Sequence, residues 1–553
     1  MGEWAQIEPL FAELLDRNPS STGDLEQWLV DFSELCGAIY EEGNKRYIAM
    51  TTQTDDPVRE AAYQKFVEEI EPGMKPRWQA LEEAYVKNPC RSQLPKDRYA
   101  VMDRIVESNI ALFREQNVPL QTQEALLAKE YHKRIGAMTV TVDGKELTLQ
   151  QAAKRLEEPD RKLRQQVWEE IAARMLRDKE DLEHLYDQLI ALRQTIAANA
   201  GFGNYRDYAF RERQRFDYTP EDCFEFHDAV ERAVLPLVRK IMSERRRQLQ
   251  VDALRPWDLA VDPLNRPPLR PFATADELVQ GTLEIFSRVD PALGRQFRFM
   301  AERRLLELES RKGKAPGGYQ STLTEQRVPF IFMNAVGRDY DVRTLLHEGG
   351  HVFHMLAARE EPIFYYRHAP LEFCEVASMG MELLATSHLG VFYKDSDDLA
   401  RAYRSRLEDV VLLLPWIATI DAFQHWIYAH AVHTREERGQ QWLKIHSRFF
   451  TEADWSGYEE QRRFLWHRQL HLFQSPFYYI EYGIAQIGAL QVWMRSRKDY
   501  RDAVERYWRA LTLGGSRPLP ELFAAAGGRF RFDYQTLQPL MDTLAEELDR
   551  VAH

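Results

Sequence analysis

The stretch TLLHEGGHVFH, Thr344 to His354, sets two histidines four residues apart, with a glutamate after the first and two glycines between them. Asp341 is suited to cap a helix running to about Ala358. At about 100° per residue, Val342, Leu345, Leu346, Val352, Phe353 and Leu356 form one apolar stripe, and His347, His351 and His354 fall opposite. His347 and His351 lie one turn apart, so both imidazoles can reach one ion. Glu348 sits about a quarter turn off that line. It is too far round to be an easy ligand but can touch a water on the metal. This is the physical content of the His-Glu-x-x-His motif, and it predicts a zinc site. The plain alternative is a solvated helix face with two histidines. The glycines divide on the same wheel. Gly350 lies beside the metal-binding face and leaves room there for a backbone or substrate. Gly349 falls in the apolar stripe, where close packing by another element is expected. Each costs the helix roughly 0.5–1 kcal/mol relative to Ala.

A catalytic zinc needs a third protein ligand and an open position for water. The segment HAPLEFCEVASMGMELLATS, His368 to Ser387, offers candidates. Pro370 can start a helix, on which Glu372, Glu375 and Glu382 fall within about 80° of one another. A solvated acidic face would account for them. The sharper reading makes one the ligand and a second the carboxylate that orients a ligand histidine. Helical geometry alone leaves Glu372 and Glu375 both open. Cys374 points off this face. His354 is expected to pack or support, since a fourth protein ligand would close the site.

With Glu375-Val376-Ala377-Ser378 following His351 by 24 residues, the chain resembles the zinc peptidases whose third ligand is a glutamate in a Glu-x-x-Ser context. It most resembles the thimet oligopeptidase and oligoendopeptidase F family. The resemblance extends to NYRDYAF (Asn204–Phe210), LRPWDL (Leu254–Leu259), FQHWIYAH (Phe423–His430) and HLFQSPFYYIEYGIAQIGAL (His471–Leu490). It covers most of the chain after residue 140; the first hundred or so residues match only in helical texture. It implies His347, His351 and Glu375 as the ligands of one zinc per chain, leaving Glu382 as the supporting carboxylate. It implies peptide hydrolysis, with Glu348 as general base, and maps His471, Tyr479 and Tyr482 onto substrate and transition-state contacts. His467 is the alternative to His471. It also implies a narrow, deep channel between two helical lobes, admitting oligopeptides but not folded proteins. At Gly349 this sequence departs from its relatives, which usually place a bulky apolar residue there.

The residues supply compatible parts. Tyr478, Tyr479 and Tyr482 offer hydroxyl donors for an oxyanion, although clustered aromatics are commonly core. GGYQSTL, beginning at Gly317, reads as an exposed strand edge able to hold a peptide backbone. Gly318 permits close approach and Tyr319 can line the cleft; an ordinary hairpin strand is the plain reading. His425, His430 and His433 share no tight stripe and read as packing and surface histidines on a helix rather than a second metal site.

Bulk properties agree with a soluble enzyme. The chain of 553 residues is 44% hydrophobic and 29% charged, with net charge −13. That acidity argues against nucleic acid or an anionic membrane as partner. Four scattered cysteines suit a reducing cytosol. MGEWAQIEPLF lacks the basic and apolar regions of a secretory signal, and Gln6 disfavours myristoylation at Gly2. The apolar run VVLLLPWIATI, Val410 to Ile420, is too short to span a membrane. The expected fold is mostly α: a large two-lobed helical metallopeptidase with a small β-sheet beside the active-site helix. Residues 1–200 form a helical region with a hairpin near 138–149. Residues 201–553 form the catalytic region, and the halves can interleave. One long helical stretch, Asp160–Gly201, ends on a glycine. Two strands are expected between Gly317 and Gly337. A metallocarboxypeptidase of similar helical fold and a catalytically silent peptide-binding protein are the competing functions. Oligopeptides are the expected partners.

Overall fold

The computed structural model describes residues 2–551 apart from 312, 316 and 431. Its apolar interior gathers in two main bodies. The N-terminal one runs from Ile7 to Val106 and is joined by Ile363 and Tyr366 from far along the chain. Helix α1 (Thr22–Thr52), capped by the Ser21 hydroxyl on the Asp24 amide, buries Leu25, Trp28, Leu29, Phe32, Cys36 and Ile39 there. These recur at three-to-four spacing, so one face of the helix is apolar. The larger body runs from Leu112 to Leu548. Leu182, Leu185, Leu189 and Ile196, which precede residue 200, lie in this same core as the helices that follow.

The hairpin pairs β1 (Thr139–Val142) with β2 (Lys145–Thr148). Its turn residues, Asp143 and Gly144, both have positive φ, as a type I′ turn requires. The long helical stretch is not one helix: α2 (Arg161–Arg177) and α3 (Lys179–Asn199) break at Asp178, whose ψ of 10° leaves the helical range. Hydrophobic periodicity continues through such a break, although α2 packs Val167 against the hairpin residues Val140 and Val142 while α3 packs into the larger body. Next come α4 (Pro220–Ala229) and α5 (Ala275–Val289).

A three-stranded sheet follows, with β5 (Val328–Ala335) in the centre, β3 (Leu306–Glu309) parallel to it and β4 (Tyr319–Leu323) antiparallel. Strand β3 was not expected, since LELE carries residues as suited to helix as to strand. The sheet is pinned to α1: the Glu41 carboxylate accepts the amides of Glu325 and Gln326 at 2.8 Å each, and Asn44 donates to the Thr322 carbonyl at 2.7 Å.

Strand β5 leads into the motif helix α6 (Asp339–Ala357). Asp341 is not its N-cap but its third residue. Its carboxylate reaches back to the amides of Val336 and Arg338 at 2.8 and 2.9 Å, satisfying donors at the helix start. Helices α7 (Leu371–Leu384), α8 (Ser396–Ala429) and α9 (Tyr479–Ser496) complete the frame around it. Among the described residues only α8 is long and apolar enough to cross a membrane, and 72% of its apolar window is buried against the rest of the protein. It serves here as a core helix.

Two packing features have measurable consequences. Glu82 is buried and takes hydrogen bonds from Asn109, Trp78 and Tyr365, yet burial pushes its pKa up to about 7. The folded state therefore binds this proton more tightly than the unfolded one. The associated stability is full below the ordinary carboxyl pKa of 4.5 and is lost as pH rises through about 7. The loss amounts to about 3 kcal/mol. Urea titrations at about pH 5 and about pH 8 should show Glu82→Gln losing less stability with rising pH than the parent; equal losses refute the assignment. Separately, a Cβ at Gly349 would stand 2.3 Å from Cζ of Phe286 on α5. Gly349→Leu should destabilise the fold by about 1–3 kcal/mol through overpacking, read as a lowered thermal midpoint.

Candidate metal centre

Helices α6 and α7 bring the sequence candidates together, and Gly350 is the reason they can. A Cβ there would lie 2.5 Å from both the Ala377 carbonyl oxygen and Ser378 Cα. The backbone that Gly350 admits is thus that of α7. His347 Nε2 and His351 Nε2 then stand 3.4 and 3.7 Å from Glu375 Oε2. The three donor atoms lie within 4.8 Å of one another. Ligands on a tetrahedral zinc, each about 2.0–2.1 Å from it, sit about 3.3 Å apart. The donor set and its spacing fit that ion.

Glu372 takes a different place. Its carboxylate accepts the Tyr218 hydroxyl at 2.6 Å and lies 3.9 Å from Arg215, within a network that includes Glu481. Glu382 holds the other side of His347, with Oε1 2.7 Å from Nδ1, so that Nε2 faces Glu375. Its second oxygen takes Arg343 Nε at 2.6 Å, and Arg343 also donates to Asp409 at 2.8 Å. Burial works against charge on His347, but the carboxylates at its two nitrogens outweigh it and hold its pKa well above the usual value. Burial pulls His351 down to about 4. Burial also opposes ionisation of Glu375, but the two imidazoles and the Tyr478 hydroxyl hold it down at about 2.

Glu348 is buried beside this cluster, and burial, with the charges of Glu375 and Glu382, raises it to about 7. Its Oε2 has no hydrogen-bond partner among the described residues. The main-chain amide of Gln320, on β4, lies against the same carboxyl. His354 sits apart, buried and edge-on to Phe373 at 5.9 Å between centroids. Cys374 donates to the Ala369 carbonyl at 3.4 Å and takes no part.

The aromatic segment approaches from the opposite side. Tyr478 donates to Glu375 Oε1 at 2.8 Å, while Ser378 donates to Oε2 at 3.0 Å. His471 lies within 5.7 Å, centroid to centroid, of Tyr478, Tyr479 and Tyr482, and its Nδ1 meets Gln469 at 2.8 Å. His467 is buried elsewhere, 3.2 Å from Glu183. Gly318 is exposed, close to the Thr344 methyl. Tyr319 is already engaged: its ring stacks on Phe332 at 4.8 Å and its hydroxyl meets Thr51 of α1 at 2.6 Å. The side chain expected to line the cleft thus also bridges the sheet and the N-terminal helix. A cavity of about 910 Å³ lined by Arg246, Asp252, Asp454 and Arg462 includes none of these residues.

Sequence reasoning passed over Arg343 and the contact of Tyr478 with Glu375. Arg343 carried a signal, standing one turn before His347 on the same face. Tyr478 carried none, because its aim depends on Phe477, a buried residue with φ of 64°. That left-handed backbone is held by Gln424, which accepts the Phe477 amide at 2.5 Å, and by Arg215, which donates to the Phe477 carbonyl.

Two imidazoles and one carboxylate converge beside another buried acid in a largely helical protein, a donor set of the kind that can hold a metal ion. The sequence profile of peptidase family M3 matches residues 155–541, and the chain belongs to that family. It is 22% identical over 320 residues to oligopeptidase PepF of Bacillus subtilis (strain 168), covering 56% of this chain and 46% of that protein. It is 22% identical over 291 residues to group B oligopeptidase PepB of Streptococcus agalactiae serotype III (strain NEM316), covering 52% and 45%. The matches thus span about half the length of these curated relatives. Solved structures agree over nearly the whole fold. Pz peptidase A with an inhibitor superposes with a TM-score of 0.94 at 29% identity, covering 99% of this chain and 97% of that one. A structure provisionally assigned as oligoendopeptidase F gives 0.94 at 30% identity, with the same coverage.

Because Gly350 sets the α6–α7 approach, Gly350→Ala should lower metal affinity by about 10–100-fold. Competition titration against a chromogenic chelator measures it. Unchanged affinity would mean that α7 reaches Glu375 into place by other contacts.

Proposed function

We propose that this protein is a zinc-dependent endopeptidase that hydrolyses internal peptide bonds of short oligopeptides, with one zinc held by His347, His351 and Glu375. The observation that carries this reading is the buried carboxyl of Glu348, whose Oε2 is unpartnered among the described residues, beside three converging metal donors and the β4 edge. Zinc, when bound there, supplies an acidified water and polarises the scissile carbonyl. Glu348 takes the proton of the attacking water and passes it to the leaving amine. Glu382 fixes the tautomer and direction of His347, and Tyr478 and Ser378 orient Glu375. His471, Tyr479 and Tyr482 offer donors to the developing oxyanion and to the substrate backbone. Strand β4, with Gly318 just before it, receives an extended peptide by main-chain hydrogen bonds, which reads no side-chain sequence. A reducing, cytosolic setting fits the four free cysteines.

The test joins chemistry to bond position. Glu348→Gln should lower kcat by about 10²–10⁴-fold while zinc content stays at the parent level. A C-terminally amidated peptide and its free-acid twin should be cut at the same internal bonds, and a chelator should abolish both reactions. Full activity in Glu348→Gln removes this mechanism. Trimming confined to the free-acid peptide would instead make the enzyme a carboxypeptidase.

A further inference from the structure

A second group of metal-binding side chains lies buried between α4 and α8. Cys223 and His227 stand one turn apart on α4, and Asp421 and His425 one turn apart on α8. Their exposures are 0, 3, 0 and 3%. Cys223, Asp421 and His425 each present a donor atom, all within 4.8 Å of one another. His425 is thus a core residue at this cluster, while His430 is exposed where α8 ends and His433 lies beyond it.

The donors are only partly satisfied. Asp421 Oδ1 and both ring nitrogens of His425 have no hydrogen-bond partner among the described residues. Asp421 Oδ2 meets His227 Nε2 at 2.8 Å and lies 3.3 Å from His425 Nε2. Buried polar atoms without partners are costly, and native interiors rarely leave several in one place. Apolar rings enclose them: Phe224, Phe477 and Phe210 lie 4.9, 5.3 and 5.8 Å from the His425 ring. The nearby arginines pair with other acids, Arg215 with Glu481 at 3.0 Å and Arg206 with Asp207 at 2.9 Å, while the Arg215 charge also favours the thiolate of Cys223.

We propose that Cys223, Asp421 and His425 bind a second divalent cation of the zinc class, with His227 orienting Asp421 through its other oxygen. A thiolate, a carboxylate and a neutral imidazole offset the charge of a dication, and thiolate with imidazole selects zinc over calcium or magnesium. The thiol proton leaves to solvent as the sulfur–metal bond forms. The fourth position falls to a water. The cation clamps α4 to α8 from behind Phe477, whose left-handed backbone aims Tyr478 at Glu375. It thereby steadies the segment that aims Tyr478 at Glu375.

Cobalt(II) substitution of the full chain tests this, because the His347, His351 and Glu375 site contains no sulfur. The expected result is two cobalt ions per chain and a thiolate-to-cobalt charge-transfer band in the near ultraviolet. Cys223→Ser should lose the band and one ion and melt at a lower temperature. His351→Ala should lose the other ion and keep the band. A parent protein without the band, or a Cys223→Ser variant that binds as much cobalt as the parent, overturns the proposal. If Cys223→Ser fails to fold, His425→Gln is read by the same band and the same count. A band without activity in the zinc-loaded enzyme would remove the peptidase reading and leave this one standing.

Discussion

The approach of α7 to α6 at Gly350 is the constraint on which the metal centre depends. Two histidines on one helix can face an ion but cannot enclose it; the third donor must come from another backbone. Ala377 and Ser378 lie where a Cβ on residue 350 would be, and Glu375 is two residues away. The glycine lowers helix propensity by roughly 0.5–1 kcal/mol, a small cost beside the burial gained along two long apolar faces. Gly349 makes the matching approach on the other side, where the Phe286 ring takes the space a side chain would occupy. The motif helix is thus gripped from both sides at adjacent residues. That explains how a helix weakened by two glycines can hold its histidines still.

Orientation of the three candidate donors falls to residues outside that set. Arg343 and Asp409 hold Glu382, Glu382 holds His347, and Tyr478 with Ser378 holds Glu375. Each link is a charge-assisted hydrogen bond or a hydroxyl donating to a carboxylate, and such bonds are stronger and more directional than neutral ones. The sheet enters the same arrangement through Asp341, which ties the start of α6 to the end of β5.

What could be read from sequence follows a physical division. The helical class, the hairpin around Asp143-Gly144 and the apolar face of α6 are local, because periodicity and turn chemistry act over a few residues. The His347, Glu348 and His351 set is local for the same reason. Glu375 was not separable from Glu372 by helical geometry, since both fall on one stripe. What separates them is the neighbour each meets: Tyr218 and Arg215 for one, two imidazoles for the other. The break at Asp178 and strand β3 escaped because the same residue pattern suits either outcome. The contact of Tyr319 with Thr51 on α1 joins residues far apart in sequence, so no local pattern could announce it. The grouping of Cys223 with His425 joins residues about two hundred positions apart, and no spacing rule could have found it.

The acids around the centre also divide by what balances them. Glu382 has Arg343 and the imidazole of His347. Glu375 has two imidazoles and two hydroxyl donors. Glu348 has neither a cationic partner at hydrogen-bond distance nor a donor to its Oε2 among the described residues. A carboxylate already committed to several donors gains little by accepting a proton, whereas one left uncommitted in a buried site can take a proton and return it at small cost. Environments that push neighbouring acids apart in this way let one site give residues of the same type different protonation behaviour. Of the three acids, Glu348 is the one whose environment leaves it able to exchange a proton near neutral pH.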